Sequence, residues 1–172
     1  MVGHLLEHFY EINEGIGVHK SPELYGAFPT DPYSHTPENS GVKQPGMTGQ
    51  VKEDVLSRFL ENGIVVANGC VHICLELFDQ KERLQSETEF SFIQLGGGES
   101  RLIIPSGGFG FTFCQVPIIY RAGVSDEHTV FYTDGTEESF SGLSLNLLTS
   151  QRLFSRSNEI HSIECRCSVF SS

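Results

Sequence analysis

Apolar residues in this chain follow two regimes. Up to about residue 62 they recur at helical spacing. Beyond it they alternate or gather in short runs. Leu5, Phe9, Ile12 and Ile16 stand 4, 3 and 4 residues apart. That is one face of a helix, predicted over about 3–14 and closed by Gly15 or Gly17. Val51, Val55 and Phe59, with Leu56 and Leu60, predict a second helix from about 50 to 61, and Asn62-Gly63 supplies its C-terminal stop. From residue 64 onward, β-branched and aromatic runs are broken by Gly, Asp-Gly and Ser-rich turns. The predicted strands are Ile64–Val66, Val71–Phe78, Thr88–Leu95, Leu102–Pro105, Phe109–Cys114, Pro117–Arg121, Thr129–Thr133, Glu138–Phe140, Ser144–Leu148, Arg152–Ser155 and Ile160–Phe170. Asp134-Gly135 between two of them is the clearest hairpin signal. In the last run His161, Ile163, Cys165, Cys167 and Val169 share one parity, the one expected to be buried. On that parity His161 is expected to be a sheet-surface or core histidine and not a ligand.

The pattern predicts a mainly β chain with an N-terminal two-helix arm: a helix–loop–helix segment over 1–62, then an antiparallel β-sandwich or jelly roll over 63–172. No fixed-period repeat and no low-complexity segment is visible. Leu95-Gly-Gly-Gly-Glu-Ser and Pro105-Ser-Gly-Gly-Phe-Gly-Phe are expected to be hairpin connections. The first lacks the Lys-Ser/Thr ending of a phosphate loop, and strand residues follow the second.

Composition narrows the function classes. At 172 residues there is room for one domain, or for one domain with a docked arm. With 22 acids against 11 bases the net charge is −11. This disfavours nucleic acid, which is held through Lys and Arg on phosphate, and anionic membrane surfaces. No apolar run approaches the length of a membrane span. The opening residues lack the basic and apolar regions of a secretory signal. The five cysteines at 70, 74, 114, 165 and 167 include no Cys-x-x-Cys pair. They are expected to be small buried hydrophobes in a reducing, cytoplasmic compartment, with no metal and no cofactor.

Five of the seven prolines (22, 29, 32, 37 and 45) fall within 24 residues, ahead of the second helix. They stiffen a long loop that also carries His19, Glu23, Tyr25, Asp31, Tyr33, His35 and Gln44. Gln50, Lys52 and Glu53 follow it. Such a mixture suits carbohydrate: polar groups for hydroxyls, and Tyr and Phe rings for the apolar faces of sugars. Asp31 and Glu53 are candidate paired carboxyls for glycoside hydrolysis, which needs them about 5–10 Å apart. Asp31 and His35 are alternatively a dyad in which the carboxylate orients the imidazole. Structural roles compete with both: Asp31-Pro32 as the start of a turn, and Glu53 in a first helical turn, where the helix dipole favours an acid.

The runs Tyr25-Gly-Ala-Phe-Pro-Thr-Asp-Pro-Tyr-Ser-His-Thr-Pro and Gln44-Pro-Gly-Met-Thr-Gly-Gln-Val-Lys-Glu are similar to the late region of large bacterial glycan-processing proteins. Those resemble (α/α)6-toroid, six-hairpin glycosidases, in which a helical catalytic domain precedes a β-sandwich. The resemblance covers about residues 5–62, and the β region in type only. It implies the terminal part of a carbohydrate-active enzyme acting on an oligo- or polysaccharide. Asp31, His35 and Glu53 would be catalytic, and His19, Glu23, Tyr25, Tyr33, Gln44, Gln50 and Lys52 would bind substrate. A toroid needs a full ring of helical hairpins, and this chain offers two helices. The expectation is therefore a missing helical partner, or self-association through the apolar helix faces. The alternative is a non-catalytic β module that binds a glycan or braces a neighbour.

Overall fold

The computed structural model describes residues 48–171, and His4; side chains are described from Val55 onward. Helix α1 spans Thr48–Glu61, so the predicted second helix is present and starts two residues earlier. It ends where Gly63 takes φ +82°. A Cβ at Gly63 would stand 2.9 Å from the Leu75 side chain and 3.0 Å from the Cys74 carbonyl oxygen, so only glycine fits that stop. The predicted helix over 3–14 and the Pro-rich loop lie outside the described residues.

Residues Glu61–Ser172 form one compact unit. Its strands are β1 (Ile64–Ala67), β2 (Cys70–Ile73), β3 (Thr88–Ile93), β4 (Glu99–Ile104), β5 (Phe109–Phe113), β6 (Val116–Ala122), β7 (Glu127–Tyr132), β8 (Glu137–Ser141) and β9 (Ile160–Cys167). β1 and β2 pair as a hairpin around Asn68-Gly69, both residues at positive φ as a tight hairpin turn requires. β3 and β4 form a second antiparallel pair. The other five make one sheet in the order β5-β6-β9-β7-β8.

The chain is mainly β, as its pattern predicts, but the large sheet is mixed. β6 and β9 run parallel, with Ile118 opposite Ile163 and Tyr120 opposite Cys165. Parallel neighbours need a long crossover. Here the β7–β8 hairpin and helix α2 (Leu147–Ser155) supply it. Pro117 precedes the β6–β9 ladder, which begins at Ile118, so its missing N–H removes no bond on that side.

Two predicted strands are overturned. Ser144–Leu148 contributes a single bridge, His72 to Ser144, and Arg152–Ser155 is the end of α2. Asn146 decides the helix: its side-chain oxygen accepts the Thr149 N–H at 2.8 Å, a good N-cap. Thr149, Ser150 and Leu153 then fall on one buried face, and the Ser150 hydroxyl accepts the Val71 N–H at 3.1 Å, tying α2 to β2. The predicted strand Val71–Phe78 is also shortened. It passes after Ile73 into a 3-10 turn over Leu75–Leu77.

β9 corrects a further expectation. Ile163, Cys165 and Cys167 are buried, as its parity predicts, but so are Ile160 and Ser162 of the other parity, while Val169 is exposed and His161 half-buried. A central strand covered on both faces loses the simple alternation. The core gathers around Tyr120, which is fully buried. Its ring meets Phe78, Phe109, Phe111 and Phe170 at centroid distances of 5.5–6.3 Å. The Tyr120 hydroxyl donates to the Asn62 carbonyl at 2.7 Å, so this apolar cluster also satisfies its one polar end. Among the described residues no helix is long and apolar enough to cross a membrane.

Candidate functional site

Sheet topology brings several loops to one end of the unit. β6 and β9 run parallel, so the segments leading into them, with Gln115 and Asn158, lie at the same end. β7 runs antiparallel to β9, with Tyr132 opposite Ile160, so the β7–β8 turn also arrives there. The tip of the β3–β4 hairpin completes the group. The Phe92 ring lies 6.1 Å from that of His161. Gly96 sits so close to Asn158 that a Cβ there would stand 3.1 Å from the side-chain amide nitrogen.

Together these residues line a cleft of about 500 Å³. Its walls carry the amides of Gln94, Gln115 and Asn158, the Thr133 hydroxyl, the rings of Phe92, Tyr132 and His161, and glycine backbone. Among the described residues no hydrogen bond engages those three side-chain amides. The lining contains no carboxylate and no Lys or Arg.

Unusual backbone concentrates at this end. Gln115 and Asn158 have φ of 66° and 63°, and Gly97 and Gly135 have 86° and 87°. Cys114, at φ 53°, shares the β5–β6 turn with Gln115, which corrects the reading of Cys114 as a strand residue. Asparagine tolerates the left-handed region, whereas cysteine and glutamine pay roughly 1 kcal/mol each for it. Burial pushes the Cys114 thiol up, partly opposed by Arg156, so it remains a protonated thiol rather than a nucleophile.

A second, shallower groove of about 320 Å³ adjoins the cleft and shares Tyr132 and Thr133 with it. Asp134, Thr136, Glu138, Arg152 and Glu159 form its remaining walls. The Tyr132 hydroxyl donates to Glu138 at 2.8 Å, and the Arg152 guanidinium lies 5.5 Å from the Tyr132 ring centroid. Partial burial, then the bond to Glu138, pushes the Tyr132 hydroxyl up, so it stays a neutral donor. Hydrogen bonds from Thr136 hold the Asp134 carboxyl below its usual value, so it is ionised.

Of the residues expected to form a site, His19, Glu23, Tyr25, Asp31, Tyr33, His35 and Gln44 lie outside the described residues. Gln50, Lys52 and Glu53 lie on α1, and their side chains are outside them as well. Glu53 falls beyond the first turn of α1, so the dipole role considered for it does not hold. His161, expected to be a sheet-surface or core histidine, is half-buried and lines the cleft. Gln94 falls in a predicted strand, and Gln115 and Asn158 fall between predicted strands, with no signal of their own; what unites these residues is strand order. The Gly96–Gly98 run is the tip of the β3–β4 hairpin, as expected, whereas the Pro105 run leads from β4 into β5, a strand of a different sheet. Among the described residues no cluster of His, Cys, Asp and Glu could hold a metal ion. Compared with protein-family models and with curated proteins, the chain matches none.

Proposed function

We propose that Glu61–Ser172 is a non-catalytic carbohydrate-binding module of a glycan-processing protein, with the cleft at the Gln115–Asn158 end as its sugar site. The observation that carries this reading is a lining without carboxylate, Lys or Arg: three side-chain amides with no hydrogen bond among the described residues, hydroxyls, and aromatic rings. Each amide can both give and take hydrogen bonds, as a sugar hydroxyl does. The rings of Tyr132 and Phe92 suit the apolar face of a pyranose. Glycoside hydrolysis needs two carboxyls about 5–10 Å apart across the bond. The cleft lining supplies none, and in the adjoining groove the carboxylates of Asp134, Glu138 and Glu159 are taken up by Thr136, Tyr132 and Arg152, so the unit would hold a chain without cutting it. The catalytic assignment of Asp31, His35 and Glu53 is a separate proposal for residues 1–53.

A glycan array and calorimetry on the full chain test the reading with two variants. Tyr132→Ala is expected to weaken binding about tenfold or more while the protein still melts cooperatively. The Asp31→Asn/Glu53→Gln double variant is expected to bind as the parent does. The reverse pattern would move the sugar site to the Pro-rich loop, and turnover lost in the double variant would establish the enzyme reading. No glycan bound by any form sinks the proposal.

A further inference from the structure

We infer that the ligand of this unit is a neutral chain of several sugar units, recognised by length. The inference rests on the carbohydrate-binding reading of the cleft and deepens it. The cleft does not stand alone: a second groove continues from it, and Tyr132 and Thr133 belong to the walls of both. A monosaccharide held by Gln94, Gln115 and Asn158 uses only the first cavity. A longer chain leaves the cleft across Tyr132 and lies against Thr136, Arg152 and Glu159.

The junction between the cavities is held firmly. Tyr132 is fixed at its hydroxyl by Glu138, at its ring by Arg152, and at its N–H by the Thr136 carbonyl at 2.9 Å. Arg152 is in turn paired with Glu159 at 2.9 Å. The Thr133 N–H donates to the Glu159 carbonyl at 2.9 Å, and its hydroxyl donates to the Asn158 carbonyl at 3.0 Å. These bonds clamp the β7–β8 turn to the start of β9. Both walls are thus set before a ligand arrives, which lowers the ordering cost of binding across them.

Charge selects the kind of chain. The second groove carries the carboxylates of Asp134, Glu138 and Glu159 against the single guanidinium of Arg152, on a protein of net charge −11. A uronic acid or sulfated unit lying there meets like charge, whereas a neutral unit meets acceptors for its hydroxyls.

Titration calorimetry of the full chain with neutral gluco-oligosaccharides of the β-1,4, α-1,4 and β-1,3 series, from monosaccharide to hexasaccharide, tests this, with oligogalacturonides as the charged probe. For one neutral series, affinity is expected to rise about tenfold or more from mono- to tetrasaccharide and then level off. Oligogalacturonides of equal length are expected to bind about tenfold more weakly. Glu159→Ala, an exposed position, is expected to flatten the length dependence while the thermal melt stays cooperative. Equal affinity for mono- and hexasaccharide overturns recognition by length and leaves the binding reading standing. Equal affinity for oligogalacturonides overturns the preference for neutral chains. Binding of no sugar at any length removes this inference together with the reading it rests on.

Discussion

His128 shows how one side chain can set the acid limit of the fold. It is 1% exposed on β7, its ring stacked on Phe140 at 5.1 Å, and Nδ1 lies 2.7 Å from the Gly142 carbonyl oxygen. A carbonyl only accepts, so Nδ1 carries the proton and Nε2 is the bare nitrogen. Nε2 is buried and has no hydrogen-bond partner among the described residues. Protonating it would place a charge and an unmet donor in the interior. Burial accordingly lowers the His128 pKa from its ordinary 6.5, partly opposed by the bond to Gly142. The sign follows. The unfolded chain takes up a proton more readily than the folded one, so stability is intact above about 6.5 and falls as the pH drops through the lowered folded value. Thermal melts from about pH 8 to about pH 5 should show this fall. His128→Asn, whose amide can still donate to Gly142, should be less stable at neutral pH but flatter below it. An equal slope in parent and variant would assign the acid sensitivity to other groups.

The β5–β6 turn carries a choice at the level of the element. Two successive left-handed residues are what Asn-Gly supplies at little cost, and β1–β2 uses that pair at Asn68-Gly69. β5–β6 instead places Cys114 and Gln115 there, and Gln115 faces the cleft. Backbone strain of this kind persists where a side chain is needed. Gln115→Gly should therefore raise stability by roughly 1 kcal/mol and weaken glycan binding at the same time. Paired melting and calorimetry on one variant measure both; a gain in stability with unchanged binding would make Gln115 a bystander. The same contrast explains what was legible in the sequence. Asn62-Gly63 and Asp134-Gly135 announce local geometry, and both sit where the pattern puts them. Leu147–Ser155 did not announce itself, because a short apolar run fits strand or helix until its cap is recognised. The parallel pairing of β6 with β9 was hidden because residues 118 and 163 meet only through a crossover. The cleft was hidden with it: its residues lie on separate strands and loops, and no spacing along the chain connects them.

The whole unit is organised around β9, and its cysteines offer a way to watch it. β9 is bonded to β6 on one side and β7 on the other, so it leaves the sheet only if both ladders open. Cys165 and Cys167 lie on it with no exposed surface, whereas Cys74 is exposed. Burial raises both thiols, Cys167 to about 12 and Cys165 well above its ordinary value, with neighbouring acidic groups adding to the shift. At neutral pH both are therefore protonated as well as shielded, and thiolate is the reactive species. Cys74 should react with a thiol reagent at the rate of an open cysteine. Cys165 and Cys167 should be slowed about a thousandfold or more, since each reaction waits for opening of the whole sheet. Urea should release the two together, in step with loss of the β signal in circular dichroism. Peptide mapping by mass spectrometry assigns each site. If Cys165 reacted as fast as Cys74 in buffer alone, β9 could not be the strand on which the sheet is built, and the cleft formed at its start would lose its support.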